Sequence, residues 1–346
     1  MDGNKTLTAN FKELPFYVDD NDITIKARDW VTAGMKGVIN GDEYVAVDLE
    51  MLKKMIDDDE DLSKVVTTLV TDMSNLFQEK EDFNSDISSW DVSNVTDMQW
   101  MFLNNKIFNQ NISKWDTGKV QNMRWMFAGS SEFNQPIGEW DVSNVENMYR
   151  MFNAASSFNQ DINKWDVSSV TNMLGMFSNS IFNSPLDNWD VSNVTDMNGM
   201  FSSSSFNQNI SKWNTSKVTT MRTMFSYSSF NHPIGDWDTS SVVNMWQMFG
   251  ANKVFNQDIS KWDVSNVENM RTMFLSAESF NQPLVEWDVS NVENMFRMFN
   301  VASSFNQDLS KWDVSNVKDC DVFCYLADSW TLPKPNFTNC GNYACN

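Results

Sequence analysis

The sequence predicts an α/β repeat solenoid, and three observations predict it. A tryptophan recurs at positions 90, 115, 140, 165, 189, 213, 237, 262, 287 and 312, at spacings of 24 or 25 residues. A Phe-Asn pair opens each of these ten units, from Phe83-Asn84 to Phe305-Asn306. Each unit then reads approximately FNQxIxxWDVSNVxxMxxMF before a short spacer. A unit of that length cannot bury its own apolar face, so successive units must stack, each on the next.

The first unit supplies the elements. Ile87, Trp90 and Val92 have the spacing of a short strand with its preceding turn, and the alternation sets Trp90 and Val92 on one face. Val95, Met98, Met101 and Phe102 follow at i, i+3, i+6 and i+7, one face of a short helix. Ser93 or Asn94 stands at its N-cap. The expectation is ten strand–turn–short-helix units joined by a parallel β-sheet, spanning about 48 Å at about 4.8 Å per unit. The 24-residue units, at Trp189, Trp213 and Trp237, lose one spacer residue (178–181 against 128–132), where a deletion costs least. A half unit (Val70, Met73, Phe77) comes first, and the tenth unit ends in a degenerate motif (Val317, Cys320, Phe323).

A solenoid needs covered ends. Residues 1–64 read as an N-terminal cap, 65–325 as the array and 326–346 as a C-terminal cap. In the first segment, residues 23–27 alternate as a strand, Asn40-Gly41 marks a hairpin, and Leu49, Leu52 and Ile56 open a helix. The acidic run 57–61 reads as a solvated connector, because the glycine and spacing of a calcium loop are missing. All four cysteines lie at the other end. Cys320, Cys324, Cys340 and Cys345 allow three disulfide connectivities, with a four-thiolate zinc site as the rival. The C-x3-C and C-x4-C spacings depart from the usual zinc pairs. Disulfides imply an oxidising, extracytoplasmic setting.

Composition excludes several functions. The chain has 46 acidic and 25 basic side chains, a net charge of -21, which opposes nucleic acid and anionic membranes. The single histidine, His232, takes the Gln place of an FNQ motif and reads as a repeat variant. With no activated nucleophile, phosphate loop or paired catalytic carboxylates, no enzyme is expected. No apolar stretch is long enough to span a membrane. The opening residues, MDGNKTLTANFKELPF, lack the charged and apolar regions of a secretory signal, so none is expected in this chain.

The segment FNQDISKWDVSNVENM, residues 255–270, resembles the bacterial-surface-protein type of leucine-rich repeat, a family that includes BspA-like proteins and mycoplasma repeat lipoproteins. The resemblance covers about residues 65–325. It implies a leucine-rich-repeat-like solenoid, surface exposure, and adhesion or protein binding.

Three columns of residues are candidates for chemistry. Asp91, Asp116, Asp141, Asp166 and Asp190 begin a carboxylate ladder after the Trp, interrupted only by Asn214. Neighbours about 4.8 Å apart repel by roughly three or four kcal/mol at an effective dielectric of about 20. Bound Ca²⁺ would offset that; so would backbone N–H groups donated in the next turn, and Asn214 keeps the acceptor while dropping the charge. The Asn after Phe reads as an internal asparagine ladder. Between the two Met residues of each of the first nine units lie two outward positions free of the consensus. They carry Trp100, Arg124, Trp125, Tyr149, Arg150, Trp246, Phe296 and Arg297, the residue types of binding hot spots. Trp100 and Trp125 should be neighbours in space. The local alternative is rings lying over adjacent turns, with Glu146–Arg150 and Glu293–Arg297 as i, i+4 pairs.

Seven Asn-x-Ser/Thr sequons occur, several of them by-products of the repeat. The function expected is non-enzymatic adhesion or recognition at a cell or particle surface, directed at a protein or glycan of a host or neighbouring cell. The other reading is a self-assembling component of a surface coat or virion.

Overall fold

A computed structural model describes residues 13–340 and Cys345. Ahead of the repeats lie two small sheets. Strands β1 (Phe16–Val18) and β2 (Ile25–Ala27) pair antiparallel; β3 (Lys36–Ile39) and β4 (Asp42–Ala46) form a hairpin. Asn40 and Gly41 both take positive φ, 51° and 95°, as a two-residue hairpin turn demands. Helix α1 (Leu49–Asp57) follows, with the Asp48 carboxylate accepting the Met51 N–H at its start and Leu52 and Ile56 buried. Strand β5 (Val65–Val66) then pairs parallel to β4.

From here the chain is a stack of similar coils, solenoid-like in that each coil bonds to the next. One residue per unit forms a parallel bridge to its equivalent in the following unit, without a break from Asp72↔Asp97 to Asn294↔Asp319. The expected parallel sheet is therefore reduced to a ladder of single bridges, and it lies just before the first Met, not at Trp90–Val92. Turns flank the Trp instead: the Trp90 N–H donates to Ile87 O, and Val95 N–H to Val92 O.

The expected short helix does not form either. Met98, Trp100, Phe102 and Asn104 donate their N–H groups forward, to the carbonyls of Asn122, Arg124, Met126 and Ala128 in the next coil. The intervening Met101, Leu103 and Asn105 donate to the carbonyl three residues back. An α-helix would turn every N–H onto the residue four back. Here alternate residues are turned along the stack, and the backbone reaches that geometry through left-handed residues at Trp100 and Asn104, both φ 57°. The same two places are left-handed in each following coil, at Trp125 and Gly129, then Arg150 and Ala154, and onward. The i, i+3 spacing of Val95, Met98 and Met101 fits consecutive turns as well as it fits a helix, which is why the apolar pattern did not distinguish them.

The apolar columns make one continuous core from Val47 to Trp330. Phe102 lies 4.0 Å from Phe108, which opens the next unit, and 5.4 Å from Phe127 of that unit, centroid to centroid. Trp115 and Trp140 stack at 6.3 Å, nearly parallel. Each core Trp also donates its indole N–H to a carbonyl one unit back, as Trp165 does to Ile137 O at 3.0 Å. The donor is buried, so this bond removes a desolvation penalty as well as fixing the ring.

At the far end Trp330 stands edge-on to Phe299 and Phe305, closing two aromatic columns. Cys320 is bonded to Cys340 and Cys324 to Cys345, with Cα separations of 5.8 and 4.5 Å. That selects one of the three connectivities and sets aside the zinc reading. The two bonds tie the tail to the turns of the last coil, where a helix had been expected, and such bonds persist in oxidising compartments. Among the described residues no helix is long and apolar enough to cross a membrane.

Trp165→Phe should lower stability by about 2–4 kcal/mol, because it removes buried ring volume and leaves the Ile137 carbonyl without its donor. The shift of the urea midpoint measures this; an unchanged midpoint would show that the column is not held by its indole bonds.

Candidate functional site

Two of the three columns are closed upon themselves. The carboxylate after each Trp accepts the backbone N–H two residues on: Ser143 to Asp141 and Ser168 to Asp166 at 3.0 Å, and Gly118 to Asp116 at 3.2 Å. Ser192 does the same for Asp190 at 3.0 Å, and Asn214 accepts from Ser216 at 3.2 Å with no charge. The ladder is thus a row of turn acceptors. Hydroxyl and backbone N–H donors from Ser143, Ser192, Ser240 and Ser265 hold Asp141, Asp190, Asp238 and Asp263 below the usual carboxylate range. Asp91 departs from the outward-facing expectation: it is 1% exposed, because residues ahead of the array cover it. The Ile25 N–H bonds to Ser89 O, and the Thr67 hydroxyl to Asp91 O.

The asparagine ladder is unbroken. Each Asn side-chain oxygen accepts the backbone N–H of the next unit's Asn, as Asn134 does from Asn159 at 3.0 Å. The adjacent Gln reaches back to the same side chain, Gln160 to Asn134 at 2.9 Å, and His232 makes the equivalent contact with Asn207 O at 3.0 Å. This ladder runs along the surface and not inside, since Asn159 and Asn183 are exposed.

The third column is different. The positions between the Met residues form a ribbon along the stack, and five of the chain's six arginines lie on it. Arg124 stands 5.1 Å from the rings of both Trp100 and Tyr149. Arg150 stands 4.8 Å from Trp125 and 5.5 Å from Tyr149, and Trp125 meets Tyr149 edge-on at 5.5 Å. Trp100 and Trp125 are thus linked through Arg124, Tyr149 and Arg150. Farther along, Arg222 covers Trp246 at 4.3 Å, and Arg271 and Arg297 flank Phe296 at 4.3 and 5.0 Å.

The ion pairs found within 4 Å among the described residues involve lysines and Arg28, and the Asp196 carboxylate interacts with Arg222 at longer range. Glu146–Arg150 and Glu293–Arg297 do not pair, because an i, i+4 contact needs the helix that is absent. Among the described residues, five of the seven buried side-chain polar atoms without a hydrogen-bond partner lie on the ribbon: Nε of Arg124, Arg150 and Arg222, Nε1 of Trp246, and Oγ1 of Thr272. Arg222 and Arg271 join the ribbon beyond the candidates named from the sequence; the signal for them is that arginine is nearly confined to these positions.

The ribbon is interrupted at its middle. Gly175 and Gly199 replace the large residues there, and a cleft of about 340 Å³ opens between Arg150 and Arg222. Asp196, at the bridge position of that region, is pushed above the usual carboxylate range by burial, opposed by the Asn198 N–H and by Arg222.

Three overlapping stretches, residues 49–162, 135–230 and 226–334, match the family model described as Mycoplasma protein of unknown function, DUF285. Together they cover most of the chain, which belongs to that family. No curated protein and no solved structure matches it.

The lowered Asp carboxyls contribute stability that is present above the unfolded value near pH 4 and lost as pH falls through their folded values. Thermal melts between about pH 5 and about pH 2 should show that loss, and Asp141→Asn with Asp238→Asn, which keeps both acceptors, should make it shallower. An identical slope in the double variant would mean that other carboxylates carry the effect.

Proposed function

We propose that this DUF285 chain is a non-enzymatic recognition array of the BspA-like, leucine-rich-repeat-like type, displayed outside the cell, with the arginine–aromatic ribbon as its binding face. The ligand is a protein or glycan on a host or neighbouring cell. The observation that carries this reading is the concentration of arginine and aromatic side chains on one ribbon, where five of the seven unpartnered buried polar atoms among the described residues also lie. A buried donor left unpaired costs about 1–3 kcal/mol, so a shift of these side chains that brings the donors onto a ligand's acceptors would recover it. Trp, Tyr and Arg are also the side chains that dominate binding energy at interfaces.

The backbone supports the same reading. Trp100, Trp125, Arg150 and Arg297 stand at left-handed positions, φ 52–57°, where a side chain costs about 1–2 kcal/mol that glycine would not. Bulk is carried there against the local conformational preference. The two disulfides suit an oxidising exterior.

Beads coated with the protein should adhere to host or neighbouring cells, and the variant Trp100→Ala/Arg124→Ala/Trp125→Ala should lose at least tenfold of that adhesion. The substituted residues lie outside the buried core, so circular dichroism and the melting profile should remain close to those of the parent. Undiminished adhesion by a folded triple variant would remove the ribbon from the binding face.

A further inference from the structure

We propose that the cleft over Gly175 and Gly199 seats an acidic sugar, a pyranose ring bearing a carboxylate, with that carboxylate on Arg150. This rests on the ribbon being a recognition face and names the ligand chemistry at one place on it. The two glycines make the cleft. A Cβ on Gly175 would lie 3.0 Å from Cγ and 3.3 Å from Nε of Arg150, so the arginine leans across the space a side chain would fill. A Cβ on Gly199 would lie 3.2 Å from the Thr223 hydroxyl. At about 340 Å³ the space is at the lower end of small-ligand pockets, and so fits a unit of one or two rings.

The groups around it define the occupant. No acidic residue lines the cleft, although the chain carries 46 of them. Arg150 has its planar fork steadied over Trp125 and Tyr149 while its Nε has no acceptor. A preorganised guanidinium matches a carboxylate through two parallel N–H bonds. Arg222 closes the far end three coils away, about 14 Å at about 4.8 Å per coil, too far for one anion to reach both. A compact dianion would therefore find only one guanidinium, which suits a single carboxylate better than a phosphate or sulfate.

The remaining groups are neutral and suited to hydroxyls. Asn198 accepts from the Thr220 hydroxyl at 2.6 Å and the Arg222 N–H at 3.0 Å through its amide oxygen. Its amide N–H₂ donates to no partner among the side-chain bonds described, and Asn198 lines the cleft together with Ser202 and Thr223. A peptide would want a free apolar anchor in the cleft; Leu174 supplies one, while the other apolar lining group, the Tyr149 ring, is already packed against Arg124, Arg150 and Trp125.

Titration calorimetry on the full chain tests this with methyl glucuronide and N-acetylneuraminic acid, against methyl glucoside, a tetraglutamate peptide and sulfate. The acidic sugars should bind at least tenfold more tightly than methyl glucoside. Arg150→Gln should abolish the difference. Gly175→Asn, which accepts the left-handed backbone and fills the cleft, should weaken the acidic sugars at least tenfold. Equal binding of the neutral sugar, full retention in either variant, or tighter binding of the peptide or sulfate would overturn the assignment. Trp100→Ala/Arg124→Ala/Trp125→Ala separates the two levels. If no sugar binds while that variant still loses cell adhesion, the ligand assignment alone fails; if adhesion also survives, the ribbon reading fails with it.

Discussion

The structure depends on one bond: the N–H of an alternate backbone residue donating to a carbonyl one coil ahead. Met98, Trp100, Phe102 and Asn104 each make it, at 2.8–3.0 Å, and their equivalents repeat it along the stack. A chain that directs every second N–H along an axis cannot also be an α-helix. It must reverse its local handedness at intervals, which explains the left-handed residue near the start and the end of each turn segment. The energetic return is collective. One coil satisfies few of its own groups, whereas a stack satisfies nearly all of them, so stability accumulates with neighbours in the manner of a one-dimensional array.

Side chains follow the same logic. The asparagine column passes an acceptor from each unit to the next, the indole column passes a donor backward, and the carboxylate column closes its own turn. Threonine replaces valine in three units, at 117, 215 and 239, and uses its hydroxyl to reach the next coil's Asp carbonyl. Against that background the arginine–aromatic ribbon is an exception in kind. Its cations rest on ring faces, an interaction worth about 0.5–2 kcal/mol, and leave N–H groups unspent.

Much of this was legible in the sequence. Period, unit boundaries, core columns, the Asn40-Gly41 hairpin and the turn role of the carboxylates follow from residue type and spacing alone. The segment from Val95 to Phe102 was misread because side-chain spacing reports which residues face the core, not where the N–H groups point. Trp100 and Trp125 gave no warning of left-handed backbone, since bulky residues rarely adopt it; glycine at the same place in Gly175 and Gly199 was the available signal. The cleft was illegible for a related reason. It is made by what two glycines lack, and an absence has meaning only when the residues on either side are placed.

Because every coil joins the next by the same bonds, no coil has a privileged address. The consequence is genetic as much as mechanical. Units of 24 or 25 residues that share one pattern are interchangeable in the stack, and the gain or loss of one whole unit leaves a chain whose junctions still fit. What such an event changes is the ruler between Arg150 and Arg222, by one coil or about 4.8 Å at a time. Variation by whole units would leave the scaffold intact while resetting the distance between its binding groups, so lineages could diversify in what they hold without first having to solve the fold again.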